Sequence, residues 1–223
     1  MTHPDYNSPT ELKNFLDQNG LAMQKKFGQN FLINEQARKS IVDGLDVTCG
    51  TTVWEVGPGL GAMTDELLRR GVRLTAFEID YGFARLLPQF FAGYAKTGAF
   101  SLVEGDVLKN WKKIADEQGV PDRFFGNLPY NIAATIIGDT INAGIRFEKC
   151  VFTIQKEVGQ RMVARPGSAD YSSFSVLCQW AYDVRTVLDL AGGNFWPKPN
   201  VVSRAVLMSK KADFPVHSIF RQL

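Results

Sequence analysis

Short apolar runs alternate with amphipathic segments along most of the chain. Residues 52–56, 73–77, 100–104, 123–126 and 150–154 are apolar and rich in β-branched or aromatic side chains. Each is bounded by glycine or polar residues and has the length of a strand rather than a helix. Between them, residues 63–70, 83–91, 111–118, 132–141 and 158–164 carry apolar side chains at helical spacing. Strands alternating with helices predict a parallel, doubly wound sheet. The pattern changes near the end. A helix is expected over 172–182, then strands over 185–190 and 204–209 with no long helix between them. Such a pair must run antiparallel. The expected fold is Rossmann-like α/β. Its seven-stranded sheet is mostly parallel, with an antiparallel strand at the C-terminal end and helices on both faces.

Before the first long strand, Ser8-Pro9-Thr10-Glu11 reads as a capping box with proline at the first helical position, so a short helix runs to about residue 18. Residues 25–32 mix basic, amide and aromatic side chains without a period and read as a loop. Asn34 is placed to cap a helix over 35–44. After Asp213 a helical pattern resumes over 216–223. The chain therefore divides into an N-terminal helical extension (1–24), a main domain (25–211) and a short C-terminal segment (212–223) that turns helical.

The ends of the first four strands carry polar groups. Glu55 precedes Gly57-Pro58-Gly59-Leu60-Gly61, a glycine turn that opens a helix. Glycines let a backbone pass close to a ligand and leave N–H groups free at the helix start. The second strand ends at Glu78-Ile79-Asp80, the third at Gly105-Asp106-Val107, and the fourth at Asn127-Leu128-Pro129-Tyr130. Ligands of open α/β sheets bind at these strand ends. Each group alone has an ordinary explanation as a helix cap or turn. Four in strand order favour a nucleoside site, with Glu78 accepting from ribose hydroxyls and Asp106 from an adenine amine. Asn127 offers a carbonyl acceptor, Leu128 a backbone carbonyl, Pro129 a stiff turn without an N–H, and Tyr130 a flat face for stacking. Two cofactors compete. A dinucleotide fold spaces its glycines G-x-G-x-x-G, and here Gly61 comes one residue early. Glu55, read as a fixed anion beside the turn, disfavours a pyrophosphate and suits the positive groups of S-adenosylmethionine. That cofactor is preferred, with a nicotinamide oxidoreductase as the alternative.

Composition changes this picture little. The 223 residues are 45% hydrophobic and 22% charged, with a net charge of +2, which is ordinary for a globular chain. Residues 156–211 hold eight basic side chains against four acidic ones, and a basic face suits a polyanion. No run is long enough to span a membrane, and residues 1–20 lack a signal-peptide core, so a cytoplasmic protein is expected. The three cysteines, Cys49, Cys150 and Cys178, are widely spaced, and the two histidines, His3 and His217, lie near the termini. Neither a metal site nor a histidine-based triad is expected.

The motifs together carry a resemblance. Lys26-Phe27-Gly28-Gln29-Asn30-Phe31-Leu32, Glu55 to Gly61, Glu78-Ile79-Asp80, Gly105-Asp106-Val107-Leu108, Asn127 to Asn131, and the run from Phe195 through Pro197, Pro199 and Val201 to Ser203 occur in order. From about residue 25 to 210 the chain resembles the KsgA family of rRNA adenine dimethyltransferases. The related methylases of large-subunit rRNA share the architecture but usually lack Pro58 and have Ile in place of Leu128. The resemblance implies a class I methyltransferase that moves methyl groups from S-adenosylmethionine to N6 of two adjacent adenosines near the 3′ end of small-subunit rRNA, twice each, as part of subunit maturation. Gln29, Asn30, Leu32, Glu55, Gly57, Gly59, Gly61, Glu78, Ile79, Asp106, Val107 and Asn127 would then form the cofactor site. Asn127 and Leu128, in the turn with Pro129, would hold the target amine. Tyr130 and Phe195 would stack on the adenine. The partner would be small-subunit rRNA or the immature subunit, and the working form a monomer without metal. A ribosome-assembly factor with a silent site remains the alternative from another class.

Overall fold

The computed structural model describes residues 2–23, 29–128 and 130–212. The first half contains α1 (Pro9–Gln18), β1 (Phe31–Leu32), α2 (Glu35–Leu45), β2 (Thr52–Val56), α3 (Ala62–Arg69), β3 (Arg73–Glu78), α4 (Tyr81–Phe90), α5 (Ala92–Lys96), β4 (Phe100–Glu104) and α6 (Val107–Gln118). The second half adds β5 (Arg123–Asn127), α7 (Tyr130–Asn142), β6 (Lys149–Gln155), α8 (Lys156–Val163), α9 (Ser173–Ala181), β7 (Tyr182–Leu190), β8 (Phe195–Trp196) and β9 (Ser203–Lys210).

Seven strands form one sheet in the order β4-β3-β2-β5-β6-β9-β7. The contacts from β4 through β6 are parallel, and β9 runs antiparallel to both β6 and β7. Strand order reverses between β2 and β5, which places the crevice for a ligand at their C-terminal ends. Alternation along each strand sends side chains to two layers. Trp54, Val56, Phe124 and Phe152 face one layer, where α6, α7 and α9 supply Trp111, Ile136 and Cys178. Trp54 is its centre, with edge contacts to Phe77 and Phe124. Val53, Phe125 and Val151 face the other, where α2, α3 and α4 supply Ile41, Leu67 and Leu87. Both faces are covered, so the central strands are apolar on both sides.

Local signals act as the sequence predicts at several helix starts. The Asn34 side chain accepts from the Ala37 amide, and Ser8 Oγ accepts from the Glu11 amide. The capping box at Ser8 is only half made, because Glu11 Oε2 accepts from the Asp5 amide instead. Two features depart from expectation. Helix α5 follows α4 where no element is expected. The loop over 25–32 ends in β1, which pairs antiparallel with β8, Phe31 opposite Trp196 and Leu32 opposite Phe195. Residues 24–28 and the helix expected over 216–223 lie outside the described residues.

The N-terminal extension packs onto the main domain. Leu12 and Leu16 of α1 join Tyr6, Leu60, Phe83 and Leu86 in a third apolar cluster. The Tyr6 hydroxyl donates to the Leu60 carbonyl at 2.9 Å. The extension therefore rests directly on the glycine turn.

Candidate active site

The site is built where β2, β3, β4 and β5 end. After Val56 the chain turns through Gly57, Gly59 and Gly61, whose φ angles are 73°, 58° and 91°. These are left-handed values that residues with a Cβ rarely adopt. A Cβ on Gly59 would also lie 3.1 Å from the Phe31 ring, so glycine there lets the segment from Gln29 to Leu32 close over the turn. Glu78 holds the turn from the other side. Its Oε2 accepts from the Gly59 amide at 2.9 Å and its Oε1 from the Asp80 amide at 2.8 Å. Asp80 in turn caps α4 by accepting from the Gly82 amide, and accepts from Gln29 Nε2 at 2.8 Å. Asp106 caps α6 through the Leu108 amide. The capping explanation of Asp106 is thus correct, and it coexists with a place at the site. Asn127 Nδ2 donates to the Asn30 carbonyl at 3.2 Å. That bond orients the carboxamide and leaves Oδ1 as the acceptor it presents.

These groups surround a cavity of about 220 Å³. Its lining includes Gln29, Asn30, Leu32, Glu55, Gly57, Gly59, Glu78, Ile79, Asp106, Val107, Asn127 and Leu128, so most of the residues expected from sequence converge. Pro129 lies outside the described residues, and Tyr130 opens α7. Two residues expected at the site lie off this cavity. Gly61 does not line the cavity. It is the N-cap of α3, and a Cβ there would lie 2.7 Å from the Phe91 ring; its smallness serves packing against α4 and the residue after it. Phe195 does not line the cavity either. The residue is 4% exposed and packs in the same apolar cluster as Leu32, its partner across the β1–β8 pair. The second aromatic of that loop, Trp196, stacks on Phe31 with centroids 6.2 Å apart. The cavity also gains Phe31, Pro58, Phe77, Phe83, Ile132 and Thr153. Phe31 and Pro58 sit inside motifs already visible in the sequence. Thr153 carries no local signal and enters because β6 pairs with β5.

The electrostatics differ from the simple reading of Glu55 as a fixed anion. Glu55 is 1% exposed, and its carboxyl accepts from the Thr64 hydroxyl at 2.7 Å. Burial, opposed in part by that hydrogen bond, pushes its pKa up to about 8. Glu55 therefore holds its proton near neutral pH. Glu78 is also raised, to about 6, by burial, with the Asp80 and Gly59 amides pulling it back. Among the described residues lining the cavity there are three carboxyl groups and no Lys, Arg or His. A cavity with that lining is a poor host for a pyrophosphate and fits a cation. Glu55 becomes ionised if a positive group sits beside it. The residues present thus fit a sulfonium cofactor, on a different argument from the one sequence suggested.

The basic C-terminal quarter is less bare than its composition implies. Lys156 and Arg204 both pair with Asp189, and Lys210 pairs with Glu148. Cys150 and Cys178 are buried fillers whose thiol pKa values burial raises, Cys178 to about 12. Among the described residues no helix is long and apolar enough to cross a membrane, and no cluster of three or more His, Cys, Asp or Glu could hold a metal.

Comparison with known proteins agrees with this geometry. The family model described as "Ribosomal RNA adenine dimethylase" matches residues 20–221. A Treponema denticola protein named "Ribosomal RNA small subunit methyltransferase A" is 51% identical over 221 residues, covering 99% of this chain and 75% of the relative. The chain thus spans about three quarters of that relative's length. Two solved structures share the fold. A dimethyladenosine transferase from Plasmodium falciparum has a TM-score of 0.67 at 24% identity, over 80% of this chain and 62% of that one. The 23S rRNA methyltransferase ErmE has a TM-score of 0.70 at 23% identity, over 84% of this chain and 72% of that one. With the family model matched across the glycine turn, the acidic strand ends and the Asn127 turn, the chain belongs to the ribosomal RNA adenine dimethylase family.

Proposed function

We propose that the chain uses S-adenosylmethionine to dimethylate N6 of two adjacent adenosines near the 3′ end of small-subunit rRNA. The name shared by its relatives supports the small subunit as the source of the substrate. One observation carries the chemistry. The Asn127 carboxamide is turned by its donation to the Asn30 carbonyl, so that Oδ1 is the acceptor it presents.

When bound, the cofactor supplies an electrophilic methyl group. Gln29, Asn30, Leu32, Glu55 and the turn at Gly57 and Gly59 hold its methionine end. Glu78 and Asp106 hold its ribose and adenine, with Ile79 and Val107 as apolar walls. An adenine amine is a poor nucleophile because its lone pair is delocalised into the ring. Asn127 Oδ1 and the Leu128 carbonyl accept its two hydrogens and favour a pyramidal nitrogen with its lone pair aimed at the methyl. Alignment is then the main source of rate. The nitrogen becomes cationic on transfer and loses a proton readily, so the reaction runs without a histidine base. Pro129 and Tyr130, expected from the sequence to stiffen the turn and to stack on the unstacked base, complete the proposed target site. Phe195 is left to packing. One chain suffices for the site, and the work is done in the cytoplasm on immature subunits.

The test is transfer of labelled methyl to unmethylated small subunits. Asn127→Ala should lower the transfer rate about 100-fold or more while S-adenosylmethionine still binds. Full activity in that variant would refute the amine-holding role, and tight NAD binding with none for S-adenosylmethionine would refute the cofactor.

A further inference from the structure

Among the described residues only two buried side-chain polar atoms lack a hydrogen-bond partner, Trp111 Nε1 and Thr153 Oγ1. Trp111 lies in the core away from the cavity, whereas Thr153 lines it. Thr153 is 2% exposed, and its own carbonyl accepts from the Leu128 amide at 3.0 Å. In the parallel register Thr153 stands opposite Asn127. Phe125 and Val151, two residues earlier on each strand, both point into the layer that holds α2 and α3. Asn127 and Thr153 therefore point to that same face, side by side. A buried hydroxyl without a partner is costly, and this oxygen is closed to water. Its cross-strand polar neighbour on that face is the Asn127 carboxamide, whose Nδ2 donates to the Asn30 carbonyl at 3.2 Å.

We infer that Thr153 is a positioning residue for Asn127. With cofactor and target amine bound, Thr153 Oγ–H donates to Asn127 Oδ1. The other lone pair of that oxygen stays on the amine. The hydroxyl adds a second anchor to the carboxamide, opposite the Asn30 carbonyl. The need is greatest at the second transfer, when the monomethylated amine has one hydrogen left and gives the carboxamide less to align against. This inference rests on the functional reading above.

The experiment compares wild type, Thr153→Val and Thr153→Ser on unmethylated small subunits, with S-adenosylmethionine binding and thermal midpoint measured on the same proteins. Valine keeps the shape and removes the unpaired hydroxyl. The expected result is an unchanged or higher Tm, cofactor affinity within about two-fold, and kcat for the second transfer lowered about five- to ten-fold, the worth of one hydrogen bond. KM for the subunit stays flat, and serine restores the rate. The inference is overturned if valine matches wild type, if serine is as slow as valine, or if valine loses Tm and cofactor affinity together. Wild type without transfer would overturn the functional reading itself, and this inference with it.

Discussion

Glu78 Oε2 accepts the Gly59 amide hydrogen at 2.9 Å, tying the end of β3 to the glycine turn. The other oxygen holds the Asp80 amide, so one carboxylate organises two of the loops that border the cavity. Glu78→Gln keeps the shape but turns an amide NH₂ toward one of these N–H groups. The expected cost is ~1–3 kcal/mol of stability from the donor left unpaired. S-Adenosylmethionine affinity should fall by about ten-fold or more. Calorimetric titration and thermal unfolding measure the two effects, and a variant that binds normally would show that the strap is not part of the cofactor site.

Glu55 predicts a pH dependence with a definite sign. Its ordinary pKa of 4.5 rises to about 8 in the folded protein. Between those values the folded state binds a proton that the unfolded state has lost. The stability from this group is therefore fully present at the acid end and is lost as pH rises toward about 8. Binding of a cationic cofactor draws the proton off, so affinity should increase across the same window. Glu55→Gln should flatten both profiles and weaken binding at the alkaline end. Cofactor titrations in buffers of different ionisation enthalpy would detect the released proton.

Gly61 and Gly50 separate strain from collision. Both have left-handed φ, 91° and 86°, but a Cβ on Gly61 meets Phe91 at 2.7 Å while one on Gly50 meets nothing within 4 Å. Gly50→Ala should cost ~1 kcal/mol, the strain alone. Gly61→Ala should cost ~2–4 kcal/mol, because Phe91 is buried and overpacking adds to the strain. Denaturant unfolding of the pair reads the difference directly. Equal losses would mean that Phe91 gives way freely.

Phe195 tests whether that aromatic packs or stacks. As a core residue, Phe195→Ala should lose ~3–5 kcal/mol, and Phe195→Leu less than about 1.5 kcal/mol with methyl transfer retained. A stacking role predicts the opposite pattern for leucine, with stability kept and transfer lost. Unfolding curves and transfer rates on the same two variants decide between them.

The sheet was legible because its signals are local. Residues 52–56 and 123–126 are runs that bury both faces, and they become β2 and β5 nearly at their expected bounds. Asn34 and Asp106 cap helices through amides two or three residues away. The glycine turn and the polar strand ends could be placed for the same reason, since a parallel strand must end where its helix begins. The β1–β8 pair was not legible. Two residues carry no period, and Leu32 meets Phe195 only because the chain returns from far along the sequence.

The amino-acid sequence by itself determined the strand and helix order, the glycine turn at Gly57 and Gly59, and which polar groups stand at the strand ends, because backbone propensity and hydrophobic period act over a few residues. Only the tertiary structure decided how those groups behave. Phe195 is core because β8 is pressed into an apolar cluster. Glu55 keeps its proton because folding strips it of water and leaves it one hydroxyl partner. Thr153 stands beside Asn127 because β6 pairs with β5 in one register. Solvation, packing and register are properties of neighbours in space, and distant parts of the chain supply them.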